Sequence, residues 1–312
     1  MEFRTAGCIA NTSLARRLTL DSKSVVGKLA DPVIYILLSG LALITVYPFI
    51  YVLIASVSEP VFVMKHQGLL FWPVGFTLKA YSYVLDNPMI TVGYRNTLIY
   101  VVVGTAVNMV MTSLGAYSLS RKYIKAGGFI MLMIVFTMFF SGGLIPSYLN
   151  IKSLGMQDSM WALIIPSAIN TFNLIVMRTA FRGVPDSMEE SAKMDGANDF
   201  IILFRIFIPL ILPLFAVIIL FYLVQHWNSW FPAMIYLRTR ELYPVQLILR
   251  EILIASSTDT MMSGSVSATD SEPIGETIKY ATIMVVCIPI ICVYPFLQKY
   301  FTKGIMVGAV KE

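Results

Sequence analysis

Charge, histidine and cysteine are all scarce in this sequence. Of its 312 residues 13% are Asp, Glu, Lys or Arg and 57% are hydrophobic, giving a mean hydropathy of +0.75. Soluble domains carry about a quarter charged residues, so a soluble globular class is excluded and a polytopic membrane protein is implied. His66 and His226 are the only histidines and no HExxH occurs, which leaves almost no material for a zinc site. Cys8, Cys287 and Cys292 show no CxxC spacing, and the last two, five apart, do not share a helix face. Neither a disulfide nor a metal site is expected. No GxxxxGK[ST] stretch is present to cradle ATP phosphates, so energy for pumping must come from another chain or from an ion gradient.

The apolar runs themselves lack further things. No pair of Asp, Glu, His or Cys recurs within them for acid, base or metal chemistry, so no catalytic residues are expected and a membrane enzyme is disfavoured. No charged ring or filter-like stretch suggests a channel. An ion-gradient-driven secondary transporter is the alternative reading, yet such proteins place ionisable residues within their spans, and here the span centres have none. Net charge +5 and pI about 9.0 do not point to nucleic acid, because the basic residues flank apolar segments instead of gathering on one face.

What is present is a succession of uncharged stretches. Pro32 to Ser58 is long enough to cross a hydrocarbon core of about 30 Å. Asn96 to Ser120 follows, ended by Arg121, Lys122 and Lys125. Ala126 to Ile151 is the third, with Gly142, Gly143 and Pro146 expected to break it, and Met160 to Met177 a short fourth around Pro166. Ile206 to Phe231 and Thr277 to Leu297 complete six. The expected layout is a cytoplasmic tail 1–31, a six-helix domain 32–298 and a cytoplasmic tail 299–312. Glu59 to Asn87 reads as an external loop, and 238–276 as a second one, amphipathic to Ile254 and then a Ser/Thr-rich tip over Ser256 to Ser271. With both termini inside, fifteen of the 23 basic residues fall on the cytoplasmic side, as the positive-inside rule requires.

One polar stretch interrupts this pattern between the fourth and fifth spans, on the side assigned to the cytoplasm. Pro185 can start a helix, Ser187 and Glu190 have capping-box spacing, and Gly196 can turn the chain left-handed. Asn198 or Asp199 can cap a second helix, which runs into an apolar segment holding Pro209 and Pro213. The order Glu190-Ser191-Ala192, three residues, Gly196, nine residues, Ile206, one residue, Ile208-Pro209 resembles the EAA loop of ATP-binding-cassette (ABC) importer permeases. Ser191 stands for the first alanine and Ile208 for the usual leucine. From Val33 onward the chain is similar to carbohydrate-importer permeases, the smaller maltose permease and its oligosaccharide and alginate relatives. The run Ser141 to Pro146 and the end Lys303 to Lys311 add to the likeness.

That resemblance implies an all-α fold, the six-helix type I importer permease, in a bacterial inner (cytoplasmic) membrane. It implies a second homologous permease, two copies of an ATPase that binds ATP and Mg, an external solute-binding protein and a carbohydrate substrate. It implies no cofactor in this chain itself. Glu190, Ser191, Ala192, Asp195, Gly196 and Pro209, in the loop 185–199 and just beyond, match the coupling segment by which such a permease docks on its ATPase. Local capping and kinking are the plainer roles for the same residues. Asn96, Asn108, Asn170, Asn173, Gln225 and Trp227 are candidates to line a sugar path, since hydroxyl-rich ligands need amides and aromatic platforms. Interhelical hydrogen bonding is the competing role for each.

Overall fold

The computed structural model describes residues 25–66, 68–263 and 274–309. Most of the amino-terminal tail, the end of the Ser/Thr-rich tip and the last three residues lie outside the described residues. The described chain is helical throughout, with no strand among the described residues: α1 (Val25–Ser56), α2 (Pro60–Lys65), α3 (Lys79–Asp86), α4 (Pro88–Ser120), α5 (Gly127–Phe139), α6 (Leu144–Ser153), α7 (Trp161–Ile164), α8 (Thr171–Arg182), α9 (Asp186–Met194), α10 (Asp199–Ile201), α11 (Ile208–Leu210), α12 (Leu212–Trp227), α13 (Trp230–Tyr236), α14 (Val245–Ser263) and α15 (Ile274–Ala309).

Helix α4 is the axis of the bundle. Its start follows from Asn87, whose side chain accepts from the Met89 N–H at 2.9 Å, and from Pro88 at the first turn, where no amide donor is missed. Its 33 residues extend about 50 Å at 1.5 Å per residue, longer than a hydrocarbon core, so its ends stand clear of the apolar layer. Helices α8 and α12 pack along it, and α15 packs against α1, α12, α14 and α3. Helix α1 is exposed along nearly its whole apolar length, with Ile36, Leu43 and Ile44 each about 70% accessible. Apolar surface on that scale demands lipid or another apolar partner.

By length and composition, α1 and α4 can each cross a membrane, and three bent helix pairs bring the possible crossings to five. The bends are 114° between α5 and α6, 49° between Trp161–Ser167 and α8, and 93° between Asp199–Leu210 and α12. Each has a local cause. Gly143 takes φ +85°, a conformation costly for residues with a Cβ. Pro166 sits in a 3-10 turn, Ile165–Ser167. Pro209 and Pro213 lack the donors that would meet the carbonyls of Arg205 and Pro209. There the chain opens into a π turn over Ile202–Phe207 and redirects at Ile211. The break expected in the third segment at Gly142 and Gly143 is present, and the fourth and fifth segments, read as continuous spans, are corrected to bent pairs. Within the sixth, α15, the described apolar part is Thr277–Val293.

Side-chain hydrogen bonds tie these broken pieces to α4. Asn108 Nδ2 donates to the Ser167 carbonyl at 2.5 Å, and its Oδ1 lies 2.8 Å from His226 Nε2. Thr112 and Tyr222 share a hydroxyl contact at 2.7 Å, and Tyr222 Oη also accepts from the Asn170 N–H at 3.0 Å. At the other end Asn96 donates to the carbonyls of Glu241 and Tyr243, Tyr100 to that of Leu242, and Thr97 Oγ1 accepts from Val245 N–H. The stretch expected to be a polar loop, 238–276, is consequently seated on the bundle in its first part. Val245, Leu247, Ile248 and Leu249 are buried, and α14 continues to Ser263, through half of what was expected to be a loop tip. The apolar face of the stretch read as amphipathic to Ile254 carries this.

Gly104 marks the closest approach in the centre. A Cβ there would meet the His226 ring at 2.5 to 2.8 Å, whereas a Cβ on Gly40 of α1 meets nothing within 4 Å. Gly104→Val is expected to cost about 1–3 kcal/mol through overpacking, read as a lowered melting temperature in detergent, and Gly40→Ala to stay within about 0.5 kcal/mol of the parent.

Candidate functional site

The polar elbow begins where α8 ends. Pro185, extended at ψ 135°, leads into α9, and no side chain caps its start. The expected capping box does not form: the helix begins at Asp186, so Ser187 lies inside the first turn and Glu190 in the middle of α9. Gly196 takes φ +81° after the helix, as expected of a residue that stops it left-handed. Its own N–H bonds the Lys193 carbonyl at 3.0 Å, and the Ala197 N–H returns to the Ala192 carbonyl at 2.9 Å. Asn198 then caps the next helix, accepting from the Ile201 N–H at 2.9 Å. Two short helices joined by a glycine stop make a defined corner.

What fixes the corner to the bundle is Glu189, a residue absent from the sequence-derived set. Its side chain is 12% exposed and is paired with Arg121, itself 5% exposed, at the end of α4. The Arg121 guanidinium lies 4.9 Å from the Tyr117 ring centroid and 4.5 Å from that of Phe207. It donates to Ser120 Oγ at 3.0 Å and reaches the Phe181 carbonyl at 3.4 Å. Arg121 thus touches α4, the end of α8, α9 and the π turn at once. Glu189 also accepts from Lys193 Nζ at 2.7 Å, one helical turn on. Burial pushes the Glu189 carboxyl up, but hydrogen bonds from Lys193 and Arg121 outweigh it and hold the group below the usual carboxylate range. Lys122 and Asp186 pair on the exposed flank, where such contacts contribute little.

Of the coupling-segment candidates, Glu190, Ser191, Asp195 and Gly196 are exposed and Ala192 is buried against Tyr117, Phe181 and Phe207 in the largest core cluster. Met194 stands 88% exposed beside them. Pro209 lies apart, behind the π turn. Successive residues of a helix point about 100° apart, so Glu189 and Glu190 face in different directions: one into the bundle, one out of it. A buried glutamate next to an exposed one in a polar helix has no periodic signature. The only sequence signal for Glu189 was a basic residue, Arg121, ending the preceding long span.

Of the six path candidates, Asn170 and Asn173 are joined directly and Asn108 reaches Ser167, three residues before Asn170, while Asn96 is engaged at the other end of α4. Asn96 and Asn108 are buried, Asn96 donating to backbone carbonyls and Asn108 engaged with the Ser167 carbonyl and the His226 ring; Asn173 is 3% exposed. Asn170 is exposed and caps α8, accepting from the Asn173 N–H at 3.2 Å. Gln225 is half-buried, and Trp227 is buried edge-on to Tyr94 at 6.4 Å with its indole N–H unpartnered. A second site missed in the sequence lies at Asp158, at φ +57°, whose carboxylate accepts from the N–H groups of Arg238 and Thr239 at 2.8 and 2.9 Å and from Thr239 Oγ1 at 2.5 Å. These bonds, the Thr239 hydroxyl first, hold its carboxyl below the ordinary range. The contact clasps the turn before α7 to the turn after α13.

The described residues thus form a bundle of broken apolar helices with a braced polar corner. No protein-family profile matches the chain. Against curated proteins, it is 46% identical over 289 residues to the polygalacturonan/rhamnogalacturonan transport system permease protein YtcP of Bacillus subtilis (strain 168), covering 91% of this chain and 99% of that one. It is 38% identical over 285 residues to protein LplC of the same organism, covering 91% and 96%. Among solved structures, a chain in the crystal structure of a bacterial ABC transporter involved in import of the acidic polysaccharide alginate matches with TM-score 0.79 and 35% identity, covering 89% of this chain and 98% of that one. The chain belongs to the type I ABC importer permeases of the carbohydrate class.

The Glu189 pair carries a pH signature. Because its folded pKa lies below its unfolded value, near 4.5, its contribution is complete at neutral pH and is lost as pH falls through the folded value. Glu189→Gln, which leaves Arg121 buried without its anion, should cost about 3–5 kcal/mol at pH 7. The gap in melting temperature between the two proteins should close on acidification below about pH 4.5; a gap independent of pH would remove the charge from the explanation.

Proposed function

We propose that this chain is one of two related permeases that together enclose the translocation path of an ABC importer for an acidic oligosaccharide, a fragment of a pectin-like polysaccharide. The observation that carries the substrate class is the 46% identity, over nearly the full length of both chains, to a permease named for polygalacturonan and rhamnogalacturonan. The alginate importer chain, at TM-score 0.79, supports acidic sugars from a second direction. No described feature favours the ion-gradient alternative. The remaining parts of the machine are a second permease, two ATPase copies that bind ATP and Mg, and an external solute-binding protein. In this reading the chain crosses the membrane six times, with both termini and the polar elbow in the cytoplasm.

The elbow is the docking element for the ATPase. Its outward face, Glu190, Ser191, Asp195 and Met194, is exposed on a helix whose inward face is pinned, which is the arrangement a rigid contact requires. ATP binding draws the ATPase copies together, the elbows move with them, and the path between the permeases changes the side to which it opens. The ligand's differential affinity for the two arrangements supplies the work.

Glu190→Ala should weaken ATPase capture by detergent-solubilised permease by more than tenfold, since truncating one partner of a desolvated charge pair costs about 2–5 kcal/mol. Capture equal to wild type would leave Glu190 a solvated surface residue. The topology has its own check. In a background with Cys8, Cys287 and Cys292 replaced by serine, Lys65→Cys and Ser191→Cys should be labelled by an impermeant thiol reagent from opposite sides of the membrane; labelling from one side ends the six-crossing layout.

A further inference from the structure

Docking alone transmits nothing unless the docked helix is stiffly joined to the helices that line the path. We infer that Arg121 is the positioning residue that makes this join: with Glu189 it locks the docking helix to the central helix, so that α9 and α4 move as one body. This rests on the docking reading given above and deepens it by separating attachment, at Glu190, from transmission, at Glu189 and Arg121.

The geometry supports a join more than a generic brace. Three elements besides its own meet on one guanidinium: α9 through Glu189, the end of α8 through the Phe181 carbonyl, and the π turn through the Phe207 ring at 4.5 Å. The aromatic rings are themselves interlocked, with Tyr117 edge-on to Phe207 at 5.4 Å and to Phe181 at 6.2 Å, and Phe181 to Phe207 at 5.8 Å. A planar guanidinium suits this place because its fork of donors is fixed; an ammonium on a flexible stem cannot hold all of those directions. Tyr117 Oη reaches Asp199 Oδ1 at 3.3 Å and Lys193 lies 3.8 Å from the same carboxylate, so both arms of the elbow are tied to the end of α4. The π turn belongs to this cluster through Phe207, and the 93° bend follows immediately downstream of it. A push on α9 is therefore carried into α4 and α8 by Arg121, while the fifth segment yields at Ile211.

The test uses the complete importer with its partner permease and ATPase, carrying nitroxide labels at Met194 on the elbow and Val102 on α4, both largely exposed. Electron–electron distances are measured without nucleotide and in the ATP-vanadate-trapped state. The wild type should give one narrow distance that is the same in both states. Arg121→Lys, which keeps the charge and loses the fork, should at least double the width of that distribution or shift it between states, with ATPase capture within twofold of wild type. Uptake of tri-galacturonate per ATP hydrolysed should fall at least fivefold in the same variant while its basal ATPase rate is unchanged. Phe207→Leu, which leaves both charges paired, should do the same more mildly and serves if Arg121→Lys does not accumulate.

A wild-type distance that changes between states overturns the inference, as does an Arg121→Lys distribution identical to wild type. Capture and uptake falling in proportion would also overturn it, because the pair would then only shape the docking surface. An importer that fails to capture ATPase through its elbow, or that takes up no uronate sugar, counts against the proposed function instead; the distance measurement still reads the Arg121 join in either case.

Discussion

The buried guanidinium of Arg121 is the constraint on which the elbow end of this protein depends. Desolvating a charge at 5% exposure is expensive, and the cost is offset only because a carboxylate, two ring faces, a hydroxyl and a carbonyl surround it. The Tyr117 ring and the Ser120 hydroxyl come from the last turn of α4, and the other three groups from α9, the end of α8 and the π turn. Their meeting sets the angle between α9 and α4, the position of the π turn and the burial of Ala192 and Phe181. A hydrophobic cluster could have filled the same volume, but it would not have fixed one orientation of a short polar helix against a long apolar one.

The membrane half is held on another principle. Lipid offers no hydrophobic drive for one helix to seek another, and the breaks at Gly143, Ile165–Ser167 and Ile211 leave backbone groups in need of partners. Asn108, Tyr222 and His226 meet that need within the bundle, taking up Ser167 and Asn170 at one of the breaks. Gly104 leaves on α4 the space that the His226 ring occupies. Amides that looked suited to sugar hydroxyls are thus engaged with backbone carbonyls of their own chain. Asn170 and Gln225 retain accessible surface.

At the opposite end of the bundle, Asp158 and the Asn96–Tyr100 row do what Arg121 does at the elbow end. They tie irregular chain to regular helix by giving carbonyls and N–H groups fixed partners. The two ends differ in what the surface around them must meet. One relative of this chain is named for polygalacturonan and rhamnogalacturonan, and the chain is similar to one in an alginate importer. The bundle is clamped at both ends and broken in its middle segments.

Composition and periodicity by themselves determined that the chain is a helical membrane protein, since 57% hydrophobic and 13% charged residues leave no other way to cover the surface. The spacing around Glu190 and Gly196 marked the polar corner, and Gly196 fulfilled its expected left-handed turn because only backbone sterics are at stake there. The Gly142-Gly143 break was legible for the same reason. Which of two adjacent glutamates faces inward was not legible, because that is decided by an arginine 68 residues away and a helix in isolation has no inside. The amphipathic character of 238–254 was legible, but not that its helix runs on to Ser263 or that Asn96, Thr97 and Tyr100 seat its start and the turn before it. Local conformational limits act on each residue separately and can be read in order along the chain; the pairing of charges and amides depends on distance in space, which only the folded bundle sets.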